Sequence, residues 1–233
     1  MMAPPPGIQP GSAAWAARSC EQSLRRLGTD YIDLYMLHQP DPDTPIAETL
    51  RALGALVSSG KVREVGCSNF NVAQIAEAAE AARSLGTPGF VSVQNECSLV
   101  RRDDLETVIP ECATRGIAYL PFFPLASGLL TGKYRRGAEP PEGTRFARST
   151  PERRARFFND ESFDLADRLG RFAADHGHTL HELALSWLAS LPAVAAVIPG
   201  ATSPAQARAN AQAATAWELT ASEMAEVERL VES

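Results

Sequence analysis

Along the chain, stretches with helical apolar spacing alternate with short apolar runs, and each run ends in polar residues. Residues 12–27 read as an amphipathic helix closed by Gly28, with a strand at Tyr31–Leu37 after it. Thr44-Pro45 reads as an N-cap with proline in the first helical position, opening a helix to about Ser59. Val62–Cys67 is the second strand, and Asn71 with Gln74 has capping-box spacing for a helix to about Ser84. A third strand at Phe90–Asn95 precedes a helix from about Asp103 to Thr114, and Ile117–Pro121 is the fourth strand. The polar stretch from Ser127 to about Arg153 is too long for an ordinary connection and predicts a functional or mobile loop. Helices at Asp160–His176 and Thr179–Ala189 lead to a fifth strand, Val194–Ile198. Ser203-Pro204 with Gln206, and Thr220 with Glu223, then open the last two helices.

This alternation predicts βαβ units and a parallel sheet. Chemistry-bearing side chains gather where the strands stop: His38, then Ser68 and Asn69, then Gln94, then Phe122 and Phe123, then Pro199-Gly200. Barrels of alternating strands and helices build active sites at that end. Five strands fall short of the eight such a barrel needs. The expected fold class is therefore α/β, an incomplete TIM (β/α)8-type barrel with about five of eight parallel strands and accessory C-terminal helices. Residues 1–14, rich in Pro and Gly, are expected to be a disordered or non-native tail, with the partial barrel domain over 15–233.

Composition narrows the class further. The 233 residues are 45% hydrophobic and 21% charged, with a formal net charge of −6, which suits an enzyme-like domain. No basic stripe interleaved with aromatics points to nucleic acid, and no apolar run is long enough for a membrane span. The start lacks the charged-then-apolar order of a signal peptide, and Cys20, Cys67, Cys97 and Cys112 stand singly, as reduced thiols do. A cytoplasmic location is expected. His176, His178 and His181 lack the HExxH order, so no metal is expected, and Cys67 reads as a small apolar filler. The Arg153-Arg154-Ala155-Arg156 cluster reads as a solvated face.

Five segments carry a resemblance. They are Ser23–His38 (SLRRLGTDYIDLYMLH), Gly60–Phe70 (GKVREVGCSNF), Val91–Asn95 (VSVQN), Pro124–Tyr134 (PLASGLLTGKY) and Val197–Pro204 (VIPGATSP). In this order and at these spacings the chain resembles the C-terminal two-thirds of an aldo-keto reductase. The resemblance implies a nicotinamide-dependent reductase that converts aldehydes and ketones to alcohols, with a general acid supplying the proton. In it His38 matches the histidine that orients the carbonyl. Ser68, Asn69 and Gln94 match the residues that hydrogen-bond the nicotinamide carboxamide, a group needing a donor and an acceptor opposite it. Phe122 stands where the family has a tyrosine stacked on the nicotinamide, and a phenyl ring keeps that flat apolar surface. Leu125, Ser127, Gly128, Leu130, Thr131 and Lys133 fall in the loop that wraps the pyrophosphate.

Gly200, Ala201 and Gln206 occupy positions at which many members carry a lysine, a serine and an arginine for the 2′-phosphate, and Asn210 matches an adenine contact. The implied cofactor is NADP(H) in preference to NAD(H), with the usual reason for that preference weakened; Arg208 is the candidate substitute cation. The family's catalytic Asp, Tyr and Lys have no match here, since none of the tyrosines or of the two lysines, Lys61 and Lys133, stands in the required context. The expectation is a truncated and impaired reductase acting on a small-molecule carbonyl substrate, with a catalytically inactive nucleotide-binding or regulatory module as the alternative. Missing strands would leave an exposed barrel edge, a route to self-association.

Overall fold

The computed structural model describes Pro5, residues 8–144 and residues 146–232. The chain divides into two compact units, one formed by the residues up to Asn95 with Glu106–Tyr119, the other by Glu96–Leu105 with the residues from Leu120 on.

In the first unit helices and strands alternate: α1 (Ala13–Leu27), β1 (Ile32–Leu37), α2 (Ile46–Ser58), β2 (Val62–Ser68), α3 (Val72–Leu85), β3 (Ser92–Gln94), α4 (Val108–Arg115) and β4 (Ala118–Tyr119). The strands form a parallel sheet in the order β1-β2-β3-β4. Register places Leu37 beside Cys67, and Ser68 beside Gln94, so the polar ends of three strands come level. Leu50 and Leu53 of α2, Val62, Val65 and Cys67 of β2, Val93 and Tyr119 are buried against one another's layers. Gly28 closes α1 with a left-handed φ of 68° and returns its N–H to the Leu24 carbonyl.

The segment before α1 is tied down, so the expected tail over 1–14 is shorter at its inner end. Gly11 donates its N–H to Asp41 Oδ2 at 2.8 Å, and its carbonyl accepts from Thr49 Oγ1 at 2.7 Å. Ser12 caps α1, to which Ala13 and Ala14 already belong. Residues 1–4, 6 and 7 of that expected tail lie outside the described residues. The expected cap at Thr44 is also corrected: Thr44 Oγ1 donates to Asp41 Oδ2, Pro45 takes the cap position, and α2 starts at Ile46. A carboxylate three residues upstream outcompetes the helix end for that hydroxyl. The helix expected from Asp103 begins only at Val108.

The second unit holds a 3-10 segment at Ala126–Thr131 and five α-helices, α5 (Pro151–Phe157), α6 (Asp160–Asp175), α7 (Leu180–Ala189), α8 (Pro204–Ala213) and α9 (Ala221–Glu232). Phe163, Leu169, Phe172, Leu183, Leu185, Trp187 and Val227 fill its interior. The long connection is folded down: Tyr134, Phe146, Phe158 and Phe163 make an edge-to-face cluster with centroids 4.7–5.3 Å apart. Arg154 holds the same loop through its guanidinium, donating to the carbonyls of Phe146 and Ala147. The expected fifth strand is not a ladder strand. Isolated bridges mark Val194 and Ile198, with Ile198 parallel to Phe122. The fold is thus α/β with a parallel sheet of four strands, not closed into a barrel among the described residues. Among them, too, no helix is long and apolar enough to cross a membrane.

Candidate functional site

At the C-terminal ends of β1, β2 and β3 the sequence brings four of the expected residues together within the first unit. Ser68 Oγ donates to the Gln94 carbonyl at 2.6 Å and accepts from Asn69 Nδ2 at 3.1 Å. Asn69 Nδ2 also donates to the His38 carbonyl at 2.8 Å, while the Asn69 backbone N–H reaches the Gln94 carbonyl at 3.1 Å. Asn69 therefore staples three strand ends. It does so with φ at 62°, the left-handed region that asparagine tolerates better than most residues. Both amide protons are spent on protein, so Oδ1 is left as an exposed acceptor without a protein partner among the described residues. Ser68, only 2% exposed, has its hydroxyl committed and serves to position its neighbours. The His38 imidazole is exposed and the Gln94 side chain half-buried.

Cys67, one residue before this staple, is fully buried, and burial foremost pushes its thiol far above the ordinary range, with Cys112 adding to the rise. It is an inert filler, as its apolar strand position suggests.

In the second unit the segment from Phe123 to Lys133 is wound tightly. Phe123, Ala126, Ser127 and Gly128 all have positive φ, at 53°, 45°, 59° and 98°. Non-glycine residues held there cost about 1–3 kcal/mol each, and such strain clusters at active sites and ligand clamps. The Ser127 side chain is buried, with 6% of the residue exposed, and its Oγ has no hydrogen-bond partner. Lys133 folds back over the same turn: a Cβ at Gly128 would lie 2.9 Å from Lys133 Nζ. An orphaned hydroxyl and an ammonium on one tight turn fit an anionic group, and a phosphate of a dinucleotide is such a group. Leu125 and Leu130 are buried beneath this turn and Thr131 Oγ1 donates to the Gly128 carbonyl. Phe122 is half-buried and packs edge-to-face on Phe123 at 5.2 Å.

In the segment from Gly200 to Asn210 the expected cap at Ser203 with Gln206 forms, as Gln206 N donates to Ser203 Oγ at 3.2 Å. Gln206 Oε1 accepts from Thr202 N and Thr202 Oγ1, at 2.7 and 2.9 Å, and so completes the cap of α8 begun by Ser203. Asn210 is buried, accepts from His181 Nε2 at 2.9 Å, and donates to the Gly200 carbonyl at 3.4 Å. It ties the loop to α7, a role for His181 that sequence spacing gave no sign of. Arg208 sits two residues after Gln206 on one helix, roughly 200° around the axis from it.

The remaining polar residues of interest settle elsewhere. The three histidines take separate polar or ring partners: His176 Nδ1 contacts the Phe172 carbonyl and its ring lies 5.4 Å from Trp217, His178 stacks on the same Trp217 at 4.3 Å, and His181 meets Asn210. Of the arginine cluster, Arg156 is exposed, as a solvated face predicts, and pairs with Glu96 at 2.7 Å, while the half-buried Arg154 straps the long loop; the Arg153 side chain lies outside the described residues. Lys61 pairs with Glu21, and Lys133 Nζ lies 5.1 Å over the face of the Tyr134 ring, so neither lysine is hydrogen-bonded to a tyrosine hydroxyl. Tyr35, raised foremost by burial, shares its hydroxyl with Ser19 Oγ at 2.6 Å.

Comparison with known proteins places the chain in a family. A sequence model described as the aldo/keto reductase family matches residues 2–232. A probable voltage-gated potassium channel subunit beta of Arabidopsis thaliana is 39% identical over 193 residues, covering 82% of this chain and 58% of that protein. The L-glyceraldehyde 3-phosphate reductase of Escherichia coli K12 is 30% identical over 231 residues, 98% of this chain and 66% of that enzyme. Among solved structures, the glycerol dehydrogenase of Gluconobacter oxydans superposes with a TM-score of 0.80 at 28% identity, covering 95% of this chain and 64% of that one. The chain thus spans 58–66% of the length of these relatives. With a family model matched over residues 2–232, the chain belongs to the aldo/keto reductase family.

Proposed function

We propose that this chain is the nucleotide-binding part of an oxidoreductase that reduces aldehydes or ketones to alcohols, with NADP(H) as the family's usual cofactor. The observation that carries the reading is the orphaned, buried Ser127 hydroxyl on a strained turn shared with Lys133. In this reading Ser127, Gly128 and Lys133 hold a phosphate, with Leu125 and Leu130 supporting the turn. In the first unit Asn69 Oδ1 accepts from the carboxamide of the nicotinamide, Gln94 completes that contact and Ser68 positions both; by family resemblance Phe122 of the second unit is a residue with a flat apolar ring for the cofactor. A bound nicotinamide supplies the hydride. His38, its backbone fixed by Asn69, orients the carbonyl oxygen of the substrate.

Gly200 and Gln206 carry no charge, and Gln206 is occupied in its cap, so discrimination for the 2′-phosphate is weak. Asn210 supports the Gly200 loop where the adenosine is expected. No lysine among the described residues is hydrogen-bonded to a tyrosine, so in this reading the general acid, worth about 10²–10⁴-fold, is not a tyrosine–lysine pair among them. Titration with NADPH, followed by nicotinamide fluorescence, tests the binding; a generic aldehyde is then added. Saturable binding, weakened about tenfold by Asn69→Gly, with turnover at most slow, is expected. Absence of NADPH binding sinks the reading.

A second reading, a catalytically inactive nucleotide-binding or regulatory module, is favoured by the likeness to proteins described as channel beta subunits. Binding with no turnover at any substrate concentration, even with an externally supplied general acid, supports it over the first.

A further inference from the structure

The long connection after Gly132 stands on the rest of the second unit at two feet. One is at Tyr134 and Arg136; the other is at Phe146 and Ala147, whose carbonyls Arg154 holds. Between them Gly137, Ala138, Glu139, Pro141, Glu142 and Gly143 are exposed. The first foot directly follows Lys133, the residue that folds over the Ser127–Gly128 turn. Its two anchors differ in chemistry. Tyr134 is buried, with its ring packed on Phe146 and Phe158, a contact that ions do not screen. Arg136 is held by charge.

Three carboxylates of α6 surround that guanidinium. Arg136 Nη2 donates to Asp164 Oδ1 and lies 4.0 Å from Asp167 Oδ2, while Nη1 lies 3.5 Å from Asp160 Oδ1. The three aspartates are spaced four and three residues apart, so they share one stripe of the helix, where like charges repel one another. Among the described residues Arg136 is the one cation within ion-pair distance of them. Arg168, on the same helix, turns instead to the Leu230 carbonyl. A single exposed ion pair contributes little, but one guanidinium that relieves three mutually repelling carboxylates forms a network. All four side chains are 42–86% exposed, so salt weakens that network.

We propose that Arg136 is an ionic latch on the nucleotide site: the segment carrying Lys133 lifts, and nucleotide enters or leaves, only when the guanidinium lets go of α6. This role rests on the reading in which Ser127 and Lys133 hold a phosphate. The latch uses no atom of the nucleotide, so it resists entry and release alike. Arg136 therefore sets the rate of exchange and leaves the dissociation constant nearly unchanged. Low ionic strength retains the nucleotide, and high ionic strength lets it exchange.

Stopped-flow release of NADPH from the 233-residue chain, followed by nicotinamide fluorescence, tests this with Arg136→Gln, Asp164→Asn, their double variant and Arg136→Lys. At about 0.1 M salt Arg136→Gln is expected to release NADPH roughly threefold faster than wild type, and Asp164→Asn faster by a smaller factor. The double variant should be no faster than Arg136→Gln, since both changes act through one contact, and Arg136→Lys should restore most of the wild-type rate. The ratio of variant to wild-type rates should fall toward one at about 1 M salt, where charges are screened within about 3 Å. An unchanged release rate in Arg136→Gln overturns the latch, as does a gain that persists at high salt, which is the mark of a damaged loop. A dissociation constant that rises in step with the release rate would make Arg136 a nucleotide contact and overturn it too. Failure of the wild type to bind NADPH sinks the functional reading and the latch together, whereas binding with unaltered release sinks the latch alone.

Discussion

Gly66 shows how much one absent methyl group decides. It sits in β2 opposite Ser92, and a Cβ there would lie 2.4 Å from Ser92 Oγ, 3.0 Å from the Ser92 carbonyl and 3.2 Å from Met36 Cε. The serine hydroxyl can rotate away, but the carbonyl belongs to the strand that carries Gln94. Gly66→Ala is therefore expected to cost about 1–3 kcal/mol by overpacking, read as a lower denaturant midpoint at unchanged slope. Asp41 works through charge. Burial pushes its carboxyl up, but hydrogen bonds from Gly11 N, Thr44 Oγ1 and the N–H groups of Asp43 and Thr44 outweigh that and bring it below its ordinary value of 3.8. A lowered folded-state value means that the stabilisation is complete above the unfolded value and is lost as pH falls through the folded one. Asp41→Asn should lower the melting temperature at pH 7 and bring wild type and variant together only in strong acid. Equal differences at pH 7 and pH 2 would show that the carboxylate charge contributes nothing.

At the scale of elements, those with strong local signals form as the sequence predicts and those that depend on a distant neighbour do not. The Asn71/Gln74 and Thr179/Glu182 capping boxes form as their spacing predicts, because every atom involved lies within four residues. Asn71→Ala should thus cost about 1 kcal/mol and Asn71→Gly only a few tenths, measured by chemical denaturation. Thr44 has the same local signature and fails as a cap, because Asp41 claims its hydroxyl. Val194–Ile198 is β-branched and apolar enough to read as a strand, yet a ladder needs a pairing partner along its length, and strand propensity reports such surroundings more than backbone preference. His38, Ser68, Asn69 and Gln94 were legible as a set through strand-end position. The hydrogen bonds that join them were not, since they require a left-handed Asn69 that no local pattern announces. The cap at Ser203 with Gln206 was legible from its spacing, whereas the tie of Asn210 to His181 and the Gly200 loop was not, since its partners lie 29 and 10 residues away.

Over the whole molecule, left-handed non-glycine backbone gathers where ligand chemistry is proposed. Four of the five described non-glycine residues with positive φ are Asn69, Phe123, Ala126 and Ser127, and Ser127 also carries a buried hydroxyl without a partner. Such a group costs stability in the free protein and repays it only when a ligand arrives, which gives a prediction with two opposite signs. Ser127→Ala removes a desolvated hydroxyl that bonds to nothing, so the ligand-free chain should melt at the same temperature as wild type or slightly above it. With NADPH at about 100 times its dissociation constant, binding should stabilise the wild type by roughly 2.7 kcal/mol, a rise of several degrees. The same NADPH concentration should raise the variant by clearly less, since one hydrogen bond to a charged oxygen is gone. Thermal melts with and without NADPH measure both quantities on one sample. A ligand-free variant that melts well below wild type would mean that the hydroxyl has a structural task, and an undiminished NADPH shift would mean that this turn does not grip the phosphate.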